Sequence, residues 1–221
     1  MMKGDKQMHL GIRTAVVFVL VAVGLMVAAP QAHAIVFNLT SDHCSGTGGC
    51  GTPPFGTVTV TQNGANVDFL VALASGNFWA KTGSVDFQEF KFNGAPSLGS
   101  ITVDQTFSGQ TLAAQTGAFN GDGTGSFTFG IACTTCGNGN LQPINSNISF
   151  HVAGTTVAAL TQPNADGNIF VADIFSSATG NTGPVDVSTP PVGVPEPATI
   201  AFLGTGLVAL GVALRRRRVQ G

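Results

Sequence analysis

The sequence predicts an all-β body, an antiparallel β-sandwich of jelly-roll-like kind, set between two membrane-directed ends. Through much of the middle of the chain, apolar residues alternate with Thr, Asn and Asp, the period of a strand with one buried face. Gly, Asn and Ser turns break these runs at short intervals, and no 3.6-residue apolar period lasts long enough for a substantial helix. Of 16 phenylalanines, 14 lie in the body, enough aromatic volume for a packed core. Only 9% of the 221 residues are charged, against about 25% in an average soluble domain. Gly and Pro together stay below the share that marks disordered low-complexity sequence, so one folded domain is expected.

Taken in order, residues 1–34 read as a signal peptide. Lys3, Lys6 and Arg13 precede the uncharged apolar run Thr14–Ala29, Pro30 ends it, and Ala32-His33-Ala34 supplies the small residues that signal peptidase requires. A permanent anchor is the rival reading. The run of 16 residues falls short of the roughly 20 that a stable span prefers, so cleavage after Ala34 is expected.

The body, 35–176, opens with a strand over Ile35–Thr40. Val58 and Val60 then alternate with threonines, and Val67, Phe69, Val71 and Leu73 alternate again after Gln62-Asn63-Gly64-Ala65. Asn-Gly between two alternating runs is a strong hairpin signal, because both residues tolerate positive φ. Further strands are expected over Ser84–Phe92, Ser100–Phe107, Gly125–Ala132, Asn147–Val152 and Asn168–Phe175. In Ser84–Phe92 the apolar phase jumps from Val85 and Phe87 to Phe90 and Phe92, which predicts a bulge near Gln88. Residues 177–194, rich in Thr, Gly, Pro and Ser, read as a flexible tether.

Composition excludes some functions. Between 35 and 194 two lysines stand against nine carboxylates, a net charge of −7 with no basic patch, so nucleic acid is not a partner. The mature histidines are His43 and His151 alone, and no Gly-x-Ser-x-Gly occurs, so nucleophilic catalysis lacks its parts. Asp86 and Glu89, the closest acidic pair, would face opposite ways on a regular strand unless the bulge realigns them, a weak basis for glycoside hydrolysis. Asn120-Gly-Asp122-Gly-Thr-Gly has calcium-loop residues but lacks the acidic ligands and closing Glu of an EF-hand, and turn chemistry explains it as well. No cofactor is expected and no catalytic residue is assigned.

The cysteines Cys44, Cys50, Cys133 and Cys136 all lie in the exported part, where disulfides form. Four cysteines allow three connectivities, of which the local one, Cys44–Cys50 with Cys133–Cys136, closes two Gly-rich loops. A four-thiolate zinc site and a redox Cys-x-x-Cys are the alternatives. Neither the spacing nor an oxidising compartment favours zinc, and no βαβ context places Cys133-Thr-Thr-Cys136 at a helix N-terminus. For sugar binding, flat platforms favour exposed Trp and Tyr. Tyr is absent and Trp79 is the sole Trp, so Phe78 and Trp79 form one small candidate sugar contact.

At the C-terminus, Pro195-Glu196-Pro197 precedes the uncharged segment Ala198–Leu214 and then Arg215, Arg216, Arg217 and Arg218. Seventeen apolar residues span about 25 Å as a helix, just enough for a bilayer core. The arginines hold that end in the cytoplasm and leave the body outside. The order, spacing and terminal position of 195–218 resemble the PEP-CTERM sorting signal of exopolysaccharide-producing Gram-negative bacteria. That resemblance implies recognition by exosortase, a membrane-embedded cysteine peptidase or transpeptidase, a transient membrane anchor, and a final place at the cell surface or in the extracellular matrix. The body also resembles an ectodomain type in that family, through Gly56–Asp68, through Phe129-Gly-Ile-Ala-Cys133-Thr-Thr-Cys136-Gly-Asn-Gly, and through Phe170–Ile174 followed by Thr179–Pro184. This likeness implies a β-rich fold and no transferable activity. A non-enzymatic surface protein, associated with exopolysaccharide, is the leading expectation; a weak carbohydrate-binding module and an envelope hydrolase follow.

Overall fold

The computed structural model describes residues 34–83, 87–104, 109–187 and 192–193. The remainder of the signal peptide with Ala32 lies outside these residues. So do Ser84, Val85, Asp86, residues 105–108 and the sorting segment, with Pro195, Glu196, Pro197, the expected helix 198–214 and Arg215, Arg216, Arg217 and Arg218.

Fourteen strands are described. The first seven are β1 (Ala34–Leu39), β2 (Ser41–Asp42), β3 (Gly56–Asn63), β4 (Asn66–Leu73), β5 (Asn77–Lys81), β6 (Phe90–Phe92) and β7 (Ile101–Val103). Then come β8 (Leu112–Asn120), β9 (Ser126–Cys133), β10 (Gly139–Ile144), β11 (Ile148–Ala153), β12 (Phe170–Ser176), β13 (Thr182–Asp186) and β14 (Val192–Gly193). Helix is confined, among the described residues, to one α turn at Val157–Leu160 and a 3-10 turn at Leu98–Ser100. None of it is long and apolar enough to cross a membrane.

All described pairings are antiparallel. One sheet runs β14-β1-β3-β4-β11-β7, and the other β10-β5-β12-β6-β9-β8, with β13 joining β12 to β2. The β3–β4 hairpin anchors the first sheet as the alternation predicts: Val58, Val60, Val67, Phe69 and Val71 are all buried. Its turn differs by one residue from the Asn-Gly expectation. Asn63 and Asn66 close the ladder, and Gly64 and Ala65 form the loop. Positive φ is confined to Gly64, at +59°, the arrangement of a hairpin with Gly at its first central position.

Phenylalanines join the sheets. Phe69 stacks on its cross-strand neighbour Phe150 at 4.5 Å and meets Phe170 of the other sheet edge-on at 5.8 Å. Phe90 and Phe92 complete the cluster from β6. Aromatic pairs at these separations and tilts contribute beyond their buried area.

Two boundaries are corrected. Of the strand expected over Ser84–Phe92, the described residues 87–92 form strand only at Phe90–Phe92, with the Gln88 side chain donating to Gln115 and the Glu89 carboxylate accepting from the Cys133 N–H. The tether expected over 177–194 is partly folded: β13 pairs with β12, and Val185 and Val187 are buried. A two-residue strand follows, with Val192 opposite Val36 and Gly193 opposite Ile35. Pro184 hid this strand from a reading by composition. It pairs opposite Asp173, where its carbonyl accepts from the His43 N–H, and its missing donor interrupts little in so short a segment.

Candidate functional site

The candidate sugar contact is changed by burial. Trp79 lies in β5 between Ile174 of β12 and Ile144 of β10 and is only 1% exposed. Its indole N–H donates to the Ser146 carbonyl at 2.9 Å, so the ring packs in the core and its polar edge pins the following loop. Trp79 therefore offers no stacking face. Phe78, on the opposite face of the strand, is half-buried, with its ring 6.1 Å from that of Phe175. A groove of about 240 Å³ runs along this edge, with Asn77, Asn145, Ser146 and Asn147 among its polar lining.

Both mature histidines have carboxylate partners. His151 Nδ1 meets Asp104 Oδ1 at 2.6 Å, with both side chains partly exposed. His43 brings together a Ser, a His and an Asp: Ser41 Oγ lies 3.0 Å and Asp186 Oδ2 3.1 Å from its ring. Both contacts fall on Nε2. A catalytic relay needs nucleophile and carboxylate on opposite ring nitrogens, so His43 cannot pass a proton from Ser41 toward Asp186. Burial raises the pKa of Asp186, with His43 pulling it back.

The cysteines form the local pairs, Cys44–Cys50 and Cys133–Cys136, each with Cα atoms 5.5 Å apart. No cysteine is free, so the four-thiolate zinc arrangement is excluded in this oxidation state. Each disulfide has a carboxylate beside it. Asp42 accepts from the backbone N–H groups of Cys44 and Cys50, both at 2.9 Å. Glu89 accepts from the Cys133 N–H at 2.7 Å, and a carboxylate oxygen of Glu89 lies within 4.8 Å of both sulfurs.

Around Glu89 the sheet hides its charges. Lys91 projects away from Phe90 and Phe92 yet is fully buried, with Nζ 2.7 Å from Asp173 Oδ2 and 3.1 Å from the Gln88 carbonyl. Burial raises the Asp173 carboxyl and Lys91 opposes the rise. Burial also pushes Glu89 up to about 7, against the Cys133 N–H bond and the charge of Lys81. Asp86, the other half of the expected acidic pair, lies outside the described residues. A cleft of about 380 Å³ leads to Cys133, walled by Lys81, Phe87, Gln88, Gln115 and Thr134.

Neither the Lys91–Asp173 pair nor the Glu89–cystine contact follows from sequence spacing, since the partners lie 82 and 44 residues apart. The one local hint is a lysine between two core phenylalanines, a position where a charge needs a partner. The Asn120–Gly125 turn is held by its own hydrogen bonds, among them the Asp122 N–H to Asn120 Oδ1 at 3.1 Å.

No curated protein and no solved structure matches the chain. The family model of the PEP-CTERM protein-sorting motif matches residues 193–218. That motif supports export and processing by an exosortase-type membrane peptidase. It begins at the last described residue of β14, one sheet position from the core-bearing strand β1. A cysteine-bearing antiparallel β domain thus stands ahead of a PEP-CTERM protein-sorting motif.

Proposed function

We propose that this is a non-enzymatic cell-surface or extracellular-matrix protein, delivered as a membrane-anchored precursor and associated with exopolysaccharide. The sorting motif at 193–218 is the observation that carries the reading. The disulfide-closed body supports it, because both cystines suit an oxidising exterior. The misplaced Ser41–His43–Asp186 contacts weigh against a hydrolase. Signal peptidase removes residues 1–34, exosortase removes the C-terminal helix with its arginines, and the body is released or attached outside.

The test is co-expression with and without exosortase, followed by intact-mass measurement of surface-located protein. Loss of Arg215–Gly221 and the preceding helix only where exosortase is present is the expected result. Replacing Arg215, Arg216, Arg217 and Arg218 by neutral residues is expected to impair it. An intact C-terminus on surface protein in the exosortase host would reduce the segment to an ordinary tail anchor.

A second reading, a weak carbohydrate-binding module, has the amide-lined groove beside Phe78 in its favour. Amide groups of Asn77, Asn145 and Asn147 would meet sugar hydroxyls while Phe78 supplies an apolar contact. A glycan array comparing the native protein with Phe78→Ala and Asn147→Ala separates the readings. Trp79→Ala is unsuitable as the control, since that ring belongs to the core.

A further inference from the structure

The two disulfides differ in what surrounds their sulfurs. At Cys44–Cys50 the neighbouring carboxylate is exposed and both its oxygens accept backbone N–H bonds. At Cys133–Cys136 the neighbouring carboxyl is buried within 4.8 Å of both sulfurs, a cleft of about 380 Å³ reaches Cys133, and Cys136 keeps 9% exposure. Gln88 and Gln115, joined at 2.8 Å, border that cleft, and Lys81 Nζ lies over the Phe87 ring and 3.4 Å from the Cys136 carbonyl.

We propose that Cys133–Cys136 is a thiol–disulfide exchange site for dithiols, with Glu89, whose carboxyl lies within 4.8 Å of both sulfurs, as its proton carrier. A thiolate of the dithiol attacks Sγ of Cys136, the less buried of the two residues. A mixed S–S bond forms and the Cys133–Cys136 bond breaks. Its electron pair stays on Cys133 Sγ, which takes the proton of the Glu89 carboxyl. The second thiol of the reagent passes its proton to the Glu89 carboxylate and attacks its own mixed-disulfide sulfur. Cys136 leaves as a thiolate and takes a proton from water, restoring the one the first thiol had lost. Two electrons have moved from the dithiol, now a cyclic or intramolecular disulfide, to the cystine.

Glu89 suits this role because a carrier works best when its pKa lies near the working pH, and burial holds this one at about 7. Lys81 of β5 and Asp173 of β12 are the charged groups acting on it, and Lys91 of β6 neutralises the second. Proton donation matters here because a thiolate expelled into an apolar interior lacks the solvation that stabilises it in water.

The experiment uses the oxidised full chain and dithiothreitol as probe. Samples are quenched by acid and alkylation between pH 5.5 and 9, and each disulfide is followed by peptide mapping. Rate constants are divided by the dithiothreitol thiolate concentration. For Cys133–Cys136 the corrected constant is expected to fall about tenfold with a midpoint near pH 7, less than usual for a general acid because thiolates leave readily. In Glu89→Gln it is expected to be flat and low, while Cys44–Cys50 stays flat in both proteins. A flat native profile overturns the proposal, and so does reduction of both disulfides at one shared rate, the mark of global unfolding. Asp173 is retained in Glu89→Gln, so a transition that survives this substitution belongs to Asp173 and also overturns the assignment of Glu89.

Discussion

The Cys133–Cys136 region and the Cys44–Cys50 region are built from the same parts: a short cystine, a carboxylate, and backbone N–H groups that the carboxylate accepts. The carboxylate of the first, Glu89, is buried, and that of the second, Asp42, is exposed. Water solvates Asp42, so its bonds fasten a loop and little else. Glu89 has lost that water, and its proton affinity rises. The difference teaches that the same contact is a clamp at the surface and a titrating element in the interior.

The largest expected effect tests the buried side of this comparison. Lys91→Met leaves the Asp173 carboxyl buried beside an apolar chain and is expected to lower stability by about 3–5 kcal/mol in urea titration. Adding Asp173→Leu to that variant is expected to recover most of the loss, because a buried ion pair is replaced by packing. Failure of the double variant to recover would mean that the pair organises the sheet beyond its own electrostatics.

Next comes the pH dependence. Glu89 binds its proton more tightly folded, at about 7, than its ordinary value of 4.5. The folded state therefore holds more protons than the unfolded state in that interval, and stability falls as pH rises through it. The loss approaches about 3 kcal/mol above pH 7, and Glu89→Gln is expected to remove that part of the slope in melting curves taken from pH 4.5 to 8. Asp173 adds a slope of the same sign, which remains in the variant.

The surface side gives the smallest effect. Asp42→Asn weakens the two N–H bonds from Cys44 and Cys50 and is expected to cost about 1 kcal/mol in urea titration. An effect as large as that of Lys91→Met would erase the contrast between the two regions.

What the sequence made legible follows the same division between local and distant. Val58 through Leu73 reads as a hairpin because every second residue is apolar and Gly64 supplies the turn within the same stretch. The sorting segment is legible for the same reason, as a contiguous order of residues. The cystine pairings follow from closeness along the chain. Strand β8 is not legible because Ala113, Ala114 and Gly117 blur the contrast between its faces, and neither is the edge strand β10, because Gly139 to Gln142 contains one apolar residue, Leu141, which is 77% exposed. Lys91 could be flagged as anomalous between two phenylalanines, but its partner comes from a strand 82 residues away. The burial of Trp79 is not legible, because burial of a large ring depends on both neighbouring strands, β10 and β12, and neither is local.

The two-residue pairing of β14 with β1 sets the length of the body's leash. While Gly193 is held opposite Ile35, two residue steps, about 7 Å of extended chain, connect the sheet to Pro195. Once those two residues let go, the leash runs from Val187, the last buried position before them, over eight steps or about 27 Å. Release of that pairing would lengthen the reach to Pro195 from about 7 to about 27 Å. The same pairing sets Ile35 opposite Gly193, the first residue of the sorting motif.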